Sequence, residues 1–218
     1  MPVNSLLIFF LMALFFTAML QVHFFEIAFV KLGLTPEAAS ILLLGTLLGS
    51  IVNLPVYSLK TKESGRLIMA PGRKMIREIF QPARKGRVVI AVNVGGCLIP
   101  VGLCLYFIFL QELDPLKIIV STLAITALSY KFSRLIPGLG VGMPIFIAPL
   151  ASAFLALVLD PEHAAPLAYI SGVFGVLIGA DILRLNEIAS LDTPVAAIGG
   201  AGTFDGIFMT GIIAALLA

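Results

Sequence analysis

Residues 165–184 read APLAYISGVFGVLIGADILR, and this run decides the fold class. Its charged side chains, Asp181 and Arg184, both fall in the last four positions. About 20 mainly apolar residues cross the hydrocarbon core of a bilayer as a helix rising ~1.5 Å per residue. The run therefore has the length and apolarity of a membrane span. Working outward, further stretches of this kind occur near 5–30, 37–59, 88–110, 116–135, 144–159 and 195–217. The expected fold is all-α: a polytopic transmembrane helix bundle of about seven spans, one domain over 1–218, with glycine-broken helices near the site. In a six-span alternative either 144–159, the shortest, or 195–217, the most irregular, is re-entrant. Composition agrees, since 60% of residues are hydrophobic and 12% charged, against about 25% charged in a soluble domain. The expected solvent, and first partner, is the lipid bilayer.

Charge sets the expected orientation. Nine of the 14 Lys and Arg lie between Lys60 and Arg87, and cytoplasmic loops carry the excess of basic residues. With the 60–87 loop inside, Lys131, Arg134 and Arg184 fall inside too, leaving Lys31 and Lys117 outside. The chain then has its N-terminus in the cytoplasm and its C-terminus outside, across the cytoplasmic (inner) membrane. The opening MPVNSLLIFFLMALFFTAML has no basic leader and runs past the length of a cleaved signal core, so it reads as the first span. The basic loop also holds Met69, Ile76, Ile79 and Phe80. It is either a solvated loop that fixes topology or an amphipathic segment on the membrane surface. No nucleic-acid motif accompanies it. Cys97 and Cys104, in one expected helix, stand about 10 Å apart by helix rise, beyond disulfide reach.

An ionisable side chain at membrane depth costs about 2.5–3.5 kcal/mol and needs a partner, a water-filled cavity or a proton. Asp205 meets that condition most directly. It lies in Gly199-Gly200-Ala201-Gly202-Thr203-Phe204-Asp205-Gly206, about 16 Å into a helix that starts near Pro194. Gly200, Gly202 and Gly206, with Thr203, remove bulk where backbone or substrate approaches and permit non-helical turns. Helix packing accounts for such glycines, but not for the aspartate. Asp181 follows Gly175 and Gly179 and has Arg184 three residues on as a ready ion-pair partner. Asn53 and Asn93 fall at a similar depth. They either join Asp181 in a polar layer or make separate interhelical hydrogen bonds worth about 0.6 kcal/mol each. The run Pro137-Gly138-Leu139-Gly140-Val141-Gly142-Met143-Pro144 forbids a regular helix. Pro137, Gly140 and Pro144 shape either an ordinary turn or a loop folded back toward the aspartates. His23 with Glu26, and His163 with Asp160 and Glu162, form no recognised ligand motif, so no metal and no cofactor is expected. Leu113-Asp114-Pro115 and Leu159-Asp160-Pro161 echo one another, too briefly to make a repeat.

Gly-Ala-Asp-Ile-Leu-Arg-Leu at 179–185, Gly-Ala-Gly-Thr-Phe-Asp-Gly-Ile-Phe at 200–208 and the Pro137–Pro144 run resemble the signatures of an uncharacterised prokaryotic membrane family, domain of unknown function 1614. The resemblance extends over nearly the whole chain and implies no assigned activity. A looser similarity, in constellation, is to the intramembrane aspartyl proteases of the presenilin, signal-peptide-peptidase and prepilin-peptidase group. These place one aspartate on each of two neighbouring spans, one of them in a Gly-x-Gly-Asp motif. The Gly179-Ala180-Asp181 run departs from that motif, Asp205 is preceded by Phe204, and no Tyr-Asp or Pro-Ala-Leu motif is present.

Two classes of function fit these residues. The first is a membrane-embedded diaspartyl hydrolase with Asp181 and Asp205 catalytic. One carboxyl keeps its proton as general acid while the other activates water, and a membrane-embedded peptide is the substrate. Straight helices leave Asp181 about 6 Å deep and Asp205 about 16 Å deep, so the pair meets only if residues 195–203 are unwound. The alternative is a proton- or cation-coupled secondary transporter of a small ion or solute, with Asp205 as midplane ligand and broken segments supplying carbonyls or helix N-termini. A non-catalytic membrane scaffold is the third. No oligomeric state follows from the sequence.

Overall fold

Helix starts are the most local part of the fold. Pro36 opens one helix and Pro115 another, each behind a side-chain cap. Thr35 Oγ1 accepts from Ala38 N at 3.3 Å, and Asp114 Oδ1 accepts from Leu116 N at 2.8 Å. Proline at the first helical position wastes no donor, and Thr or Asp before it satisfies a free N–H. The computed structural model describes residues 22–60, 87–136, 140–188, 195–200 and 206–218. Most of the first expected span and of the basic loop, with Met69, Ile76, Ile79 and Phe80, lie outside the described residues.

Seven helices are described. They are α1 through residues 22–31, α2 Pro36–Gly49, α3 Val94–Leu110, α4 Pro115–Phe132, α5 Ile147–Leu159, α6 Ala164–Glu187 and α7 Gly206–Leu217. Two are irregular. α3 opens with a π turn over Val94–Leu98, and α6 passes through a π turn at Leu177–Asp181 and a 3-10 turn at Ile182–Arg184. α4 and α6 are long and apolar enough to cross a membrane, while α2, α3, α5 and α7 are apolar but shorter. Large apolar side chains such as Leu48, Phe109, Leu123 and Phe154 stand exposed around the bundle.

The fold is mostly helical, but it is not all-α. β1 Asn53–Lys60, β2 Arg87–Asn93 and β5 Val195–Ile198 form a sheet in the order β1-β2-β5. β1 runs antiparallel to β2, from Asn53↔Asn93 to Lys60↔Arg87. β5 runs parallel to β2, from Val89↔Val195 to Val92↔Ile198. β3 Arg134–Ile136 and β4 Gly140–Gly142 make a separate hairpin. Three expected spans are thus split. Residues 37–59 become α2 and β1, 88–110 become β2 and α3, and 195–217 become β5 and α7. A short apolar run does not tell a buried strand from a helix by periodicity. The β-branched Val88, Val89, Ile90 and Val92 favour the strand.

The helices have two distinct ends. At one, the sheet and the β3–β4 hairpin follow α2 and α4 and precede α3 and α5. At the other, Lys31 Nζ donates to the Leu216 carbonyl at 3.0 Å, Gln111 Nε2 to the Leu32 carbonyl at 3.1 Å, and Lys117 pairs with Asp160 at 3.0 Å. α6 is the central helix, packed on α4, α5 and α7.

Candidate functional site

Asn93 ends β2 and caps the π turn that follows. Its Oδ1 accepts from Gly96 N at 2.7 Å, and its Nδ2 donates to the Ser50 carbonyl at 2.7 Å and to Asn53 Oδ1 at 3.0 Å. Asn93 is fully buried, so these bonds answer most of its polar capacity. Asn53 and Asn93 do meet, at the junction of α2, β1 and β2. Close approach is built in beside them, because a Cβ on Gly96 would strike the Gly199 carbonyl oxygen.

Asp181 lies elsewhere. It closes the π turn of α6, half-buried, on a segment packed against α4 and β4. Gly179 makes that packing close: a Cβ there would run into the Thr126 carbonyl oxygen and stand 2.9 Å from Ser129 Cβ. β4 begins at Gly140, with φ +115°, and Pro144 follows it, its carbonyl accepting from Ile147 N at 3.3 Å. Part of the proline–glycine run therefore comes to the Asp181 turn. Pro137 lies outside the described residues. Arg184 is anchored on α4 as well as on its own helix. Its Nη1 donates to Glu187 Oε2 at 2.7 Å, its Nε to Ser133 Oγ at 2.6 Å, and its Nη2 to the carbonyls of Tyr130 and Ser133. Its guanidinium also stacks over the Tyr130 ring, 4.6 Å from the centroid.

The last expected span departs most from a regular helix. β5 occupies Val195–Ile198, then Gly199 and Gly200 take φ of +81° and +88°, a region open chiefly to glycine. The described part of α7 runs from Gly206, whose Cβ position lies 4.0 Å from Val176 Cγ1. Further on, Thr210 meets Gly172, and Gly211 meets Tyr169 and Val173. The described part of α7 thus runs antiparallel to α6 along its far half, with Gly206 near the middle of the 24-residue Ala164–Glu187 helix. Gly202, Thr203 and Asp205 lie outside the described residues.

Residues 47–217 match the model of the family described as Protein of unknown function (DUF1614). The chain belongs to that family. The match takes in every element from the end of α2 through α7, and so both aspartates. No curated protein and no solved structure matches the chain.

At the end away from the sheet, Asp160 joins two elements that sequence reasoning left apart. Its Oδ2 is 3.0 Å from Lys117 Nζ, and its Oδ1 is 3.4 Å from His163 Nδ1. The Lys117 ammonium holds the Asp160 carboxyl below its ordinary value, against the opposing pull of burial and with help from His163. The two Asp-Pro echoes therefore differ, Asp114 capping α4 and Asp160 bridging to it. His23 Nδ1 lies 3.5 Å from Glu26 Oε2. Among the described residues no group of three or more His, Cys, Asp or Glu could hold a metal ion. Sequence reading also missed Thr122, Thr126 and Ser129, whose i, i+4, i+7 spacing puts them on one face of α4.

Proposed function

We propose that the chain is an integral membrane protein that passes a proton or a small monovalent cation. Asp205 is its mid-depth carboxylate and Asp181 a relay at the sheet end. The sheet end faces the cytoplasm, since the basic residues between β1 and β2 belong to it. The observation that carries this reading is the break at Gly199 and Gly200 ahead of α7, together with the depth of Gly206. Gly206 packs beside Val176, midway along α6, which supports a last span that is half a helix. Half-helices bring free N–H groups and a positive dipole end to the membrane midplane, where transported ions and solutes bind. Asp205 is joined to Gly206 by one peptide unit, ~3.8 Å between Cα atoms. An ionised carboxylate at that depth costs about 2.5–3.5 kcal/mol, which a proton or bound cation offsets. Asp181 is five residues beyond Val176, about 7.5 Å by helix rise, a spacing suited to relay. Purified protein in liposomes is expected to move protons or sodium down an imposed gradient, and Asp205→Asn to abolish the flux. Flux unchanged in Asp205→Asn would sink the reading.

A second reading, the diaspartyl hydrolase, draws on the break at Gly199 and Gly200. The break removes the straight-helix offset that keeps the carboxylates apart. One carboxyl would donate a proton to the leaving nitrogen while the other takes one from the attacking water. Cleavage of a reporter transmembrane peptide, lost in both Asp181→Asn and Asp205→Asn, supports it. Retention of cleavage by both variants eliminates it.

A further inference from the structure

α1 carries His23 and Glu26 on the face turned away from the bundle. On its inner side Ala28 and Phe29 are fully buried, and Phe25 packs on Phe208 of α7 with ring centroids 5.5 Å apart. His23, Glu26, Ile27 and Val30, at i, i+3, i+4 and i+7, share the opposite face. The His23 and Glu26 side chains are 70% and 36% exposed, and Ile27 and Val30 are exposed beside them. Two contacts give the depth of the pair. Lys31, whose Nζ reaches the Leu216 carbonyl at the end away from the sheet, is five residues beyond Glu26 and eight beyond His23, about 7.5 and 12 Å by helix rise. Phe25 lies between the two in sequence, and its partner Phe208 is two residues past Gly206, which sits beside Val176 midway along α6. Both contacts put the pair inside a hydrocarbon core about 30 Å thick. His23 Nδ1 stands 3.5 Å from Glu26 Oε2. Among the described residues, the ring's Nε2 and the carboxyl's Oε1 meet no partner. Ile27 and Val30 suit lipid, but an imidazole and a carboxyl at this depth do not, because hydrocarbon offers them no hydrogen bonds.

We propose that this stripe is the contact between two copies of the chain, α1 against α1 about a two-fold axis along the membrane normal. Copies inserted in one orientation are related by such an axis, which sets the two helices parallel and brings equal depths together. His23 and Glu26 are three residues apart, about 4.5 Å of rise. His23 of each copy therefore reaches Glu26 of the other, Nε2 donating to Oε1 on both sides of the axis. In a two-fold contact the same patch meets itself, so a patch holding one base and one acid is its own complement. A different membrane protein would have to present a matching base and acid at this depth, whereas a second copy does so by symmetry. Polar side chains join membrane helices in this way, and the i, i+3, i+4, i+7 spacing is that of a helix-packing seam. The inference rests on the membrane reading above and not on the passage of an ion.

In a background of Cys97→Ala and Cys104→Ala, Val30→Cys and Ile27→Cys are each oxidised in native membranes with copper phenanthroline. Leu123→Cys, on the exposed apolar face of α4, is the control. Val30→Cys and Ile27→Cys are expected to give a disulfide-linked homodimer, and Leu123→Cys none. Adding either His23→Leu or Glu26→Leu is expected to abolish the crosslink. Leucine suits a lipid-facing position, so loss of the crosslink with an unchanged circular dichroism melt reports the contact and not the fold. With the two leucine variants differently tagged and co-expressed, a mixed dimer keeps one His23–Glu26 pair. The crosslink is then expected to return between unlike chains while like chains stay apart. No crosslink at residues 27 and 30, a crosslink that survives both leucine variants, or one that joins the chain to a different protein overturns the proposal. Protein retained in carbonate-washed membranes without the crosslink refutes the dimer alone, whereas release by carbonate refutes the membrane reading and the dimer with it.

Discussion

Gly96→Ala puts the crossing of α3 and the β5 arm under direct test. A Cβ at residue 96 falls on the Gly199 carbonyl oxygen and 2.8 Å from the Gly199 carbonyl carbon. Gly199 has little freedom to retreat. Its φ is +81°, its own Cβ position is 2.8 Å from Cys97 N, and Ile198 just before it is paired with Val92. The contact is backbone against backbone, so no rotamer change relieves it. Overpacking of this kind costs about 1–3 kcal/mol, and the ordinary Gly-to-Ala gain in a helix returns only about 0.5–1 kcal/mol. The net loss of about 1–2 kcal/mol corresponds to a melting temperature lower by about 2–8 °C for a chain of this length. Gly102 lies further along α3 with nothing within 4 Å of its Cβ position. Gly102→Ala should therefore keep the helix gain and melt about 1–4 °C higher. Far-UV circular dichroism of detergent-solubilised protein, heated at one fixed rate, reads both. A Gly96→Ala variant that melts at or above the parent, or a Gly102→Ala variant that loses as much as Gly96→Ala, refutes the packing of the arm on the π turn.

Asn93→Ala leaves Gly96 N and the Ser50 carbonyl without their partner, a loss of about 1–3 kcal/mol that the same melts should report; an unchanged melt would deny Asn93 its capping role. Arg184→Lys keeps the charge but cannot reproduce four hydrogen bonds from one planar group, so a loss of about 1–3 kcal/mol is expected, with a neutral result counting against the Arg184 anchor. Asp160, with its carboxyl held below the ordinary value by Lys117, contributes stability that is present above the unfolded carboxylate pKa of about 4 and lost as pH falls through the lower folded value. The melting temperature should accordingly drop on acidification below about pH 4, less steeply in Lys117→Met; identical pH profiles in the two proteins would show that the pair does not supply the dependence.

The parts of this fold that were legible are those decided within one or two turns. The spans expected from 37 and from 116 open within a residue of the helix starts at Pro36 and Pro115, and the apolar runs at 116–135 and 165–184 became the two membrane-length helices. Arg184 shows where local spacing runs out. Glu187, at 2.7 Å, stands within local spacing, but Ser133 and Tyr130 on the α4 side, which also hold the guanidinium, lie more than fifty residues earlier. Asn53 and Asn93 could be placed at one depth, but their meeting depends on β1 and β2 pairing across a long loop, a non-local event. The glycine stretch at 199–206 marked an irregular span. Where the chain goes instead of into a helix is set by β2, more than a hundred residues earlier.

That last dependence explains why a helical bundle carries a sheet at all. A span broken at Gly199 and Gly200 leaves the backbone of Val195–Ile198 without the i to i−4 bonds of a helix, and unpaired peptide groups are costly in an apolar setting. β2 supplies the missing partners through the parallel register Val89↔Val195 to Val92↔Ile198. To do so, β2 must itself be a strand, which is why α3 does not begin until Val94 and why Asn93 is needed to turn strand into helix. The other edge of β2 then needs its own partner, and β1 provides it from Asn53 to Lys60. The strands in place of two expected span ends and the buried asparagine are thus consequences of one break. A helix continued through residues 195–200 would remove the reason for the sheet.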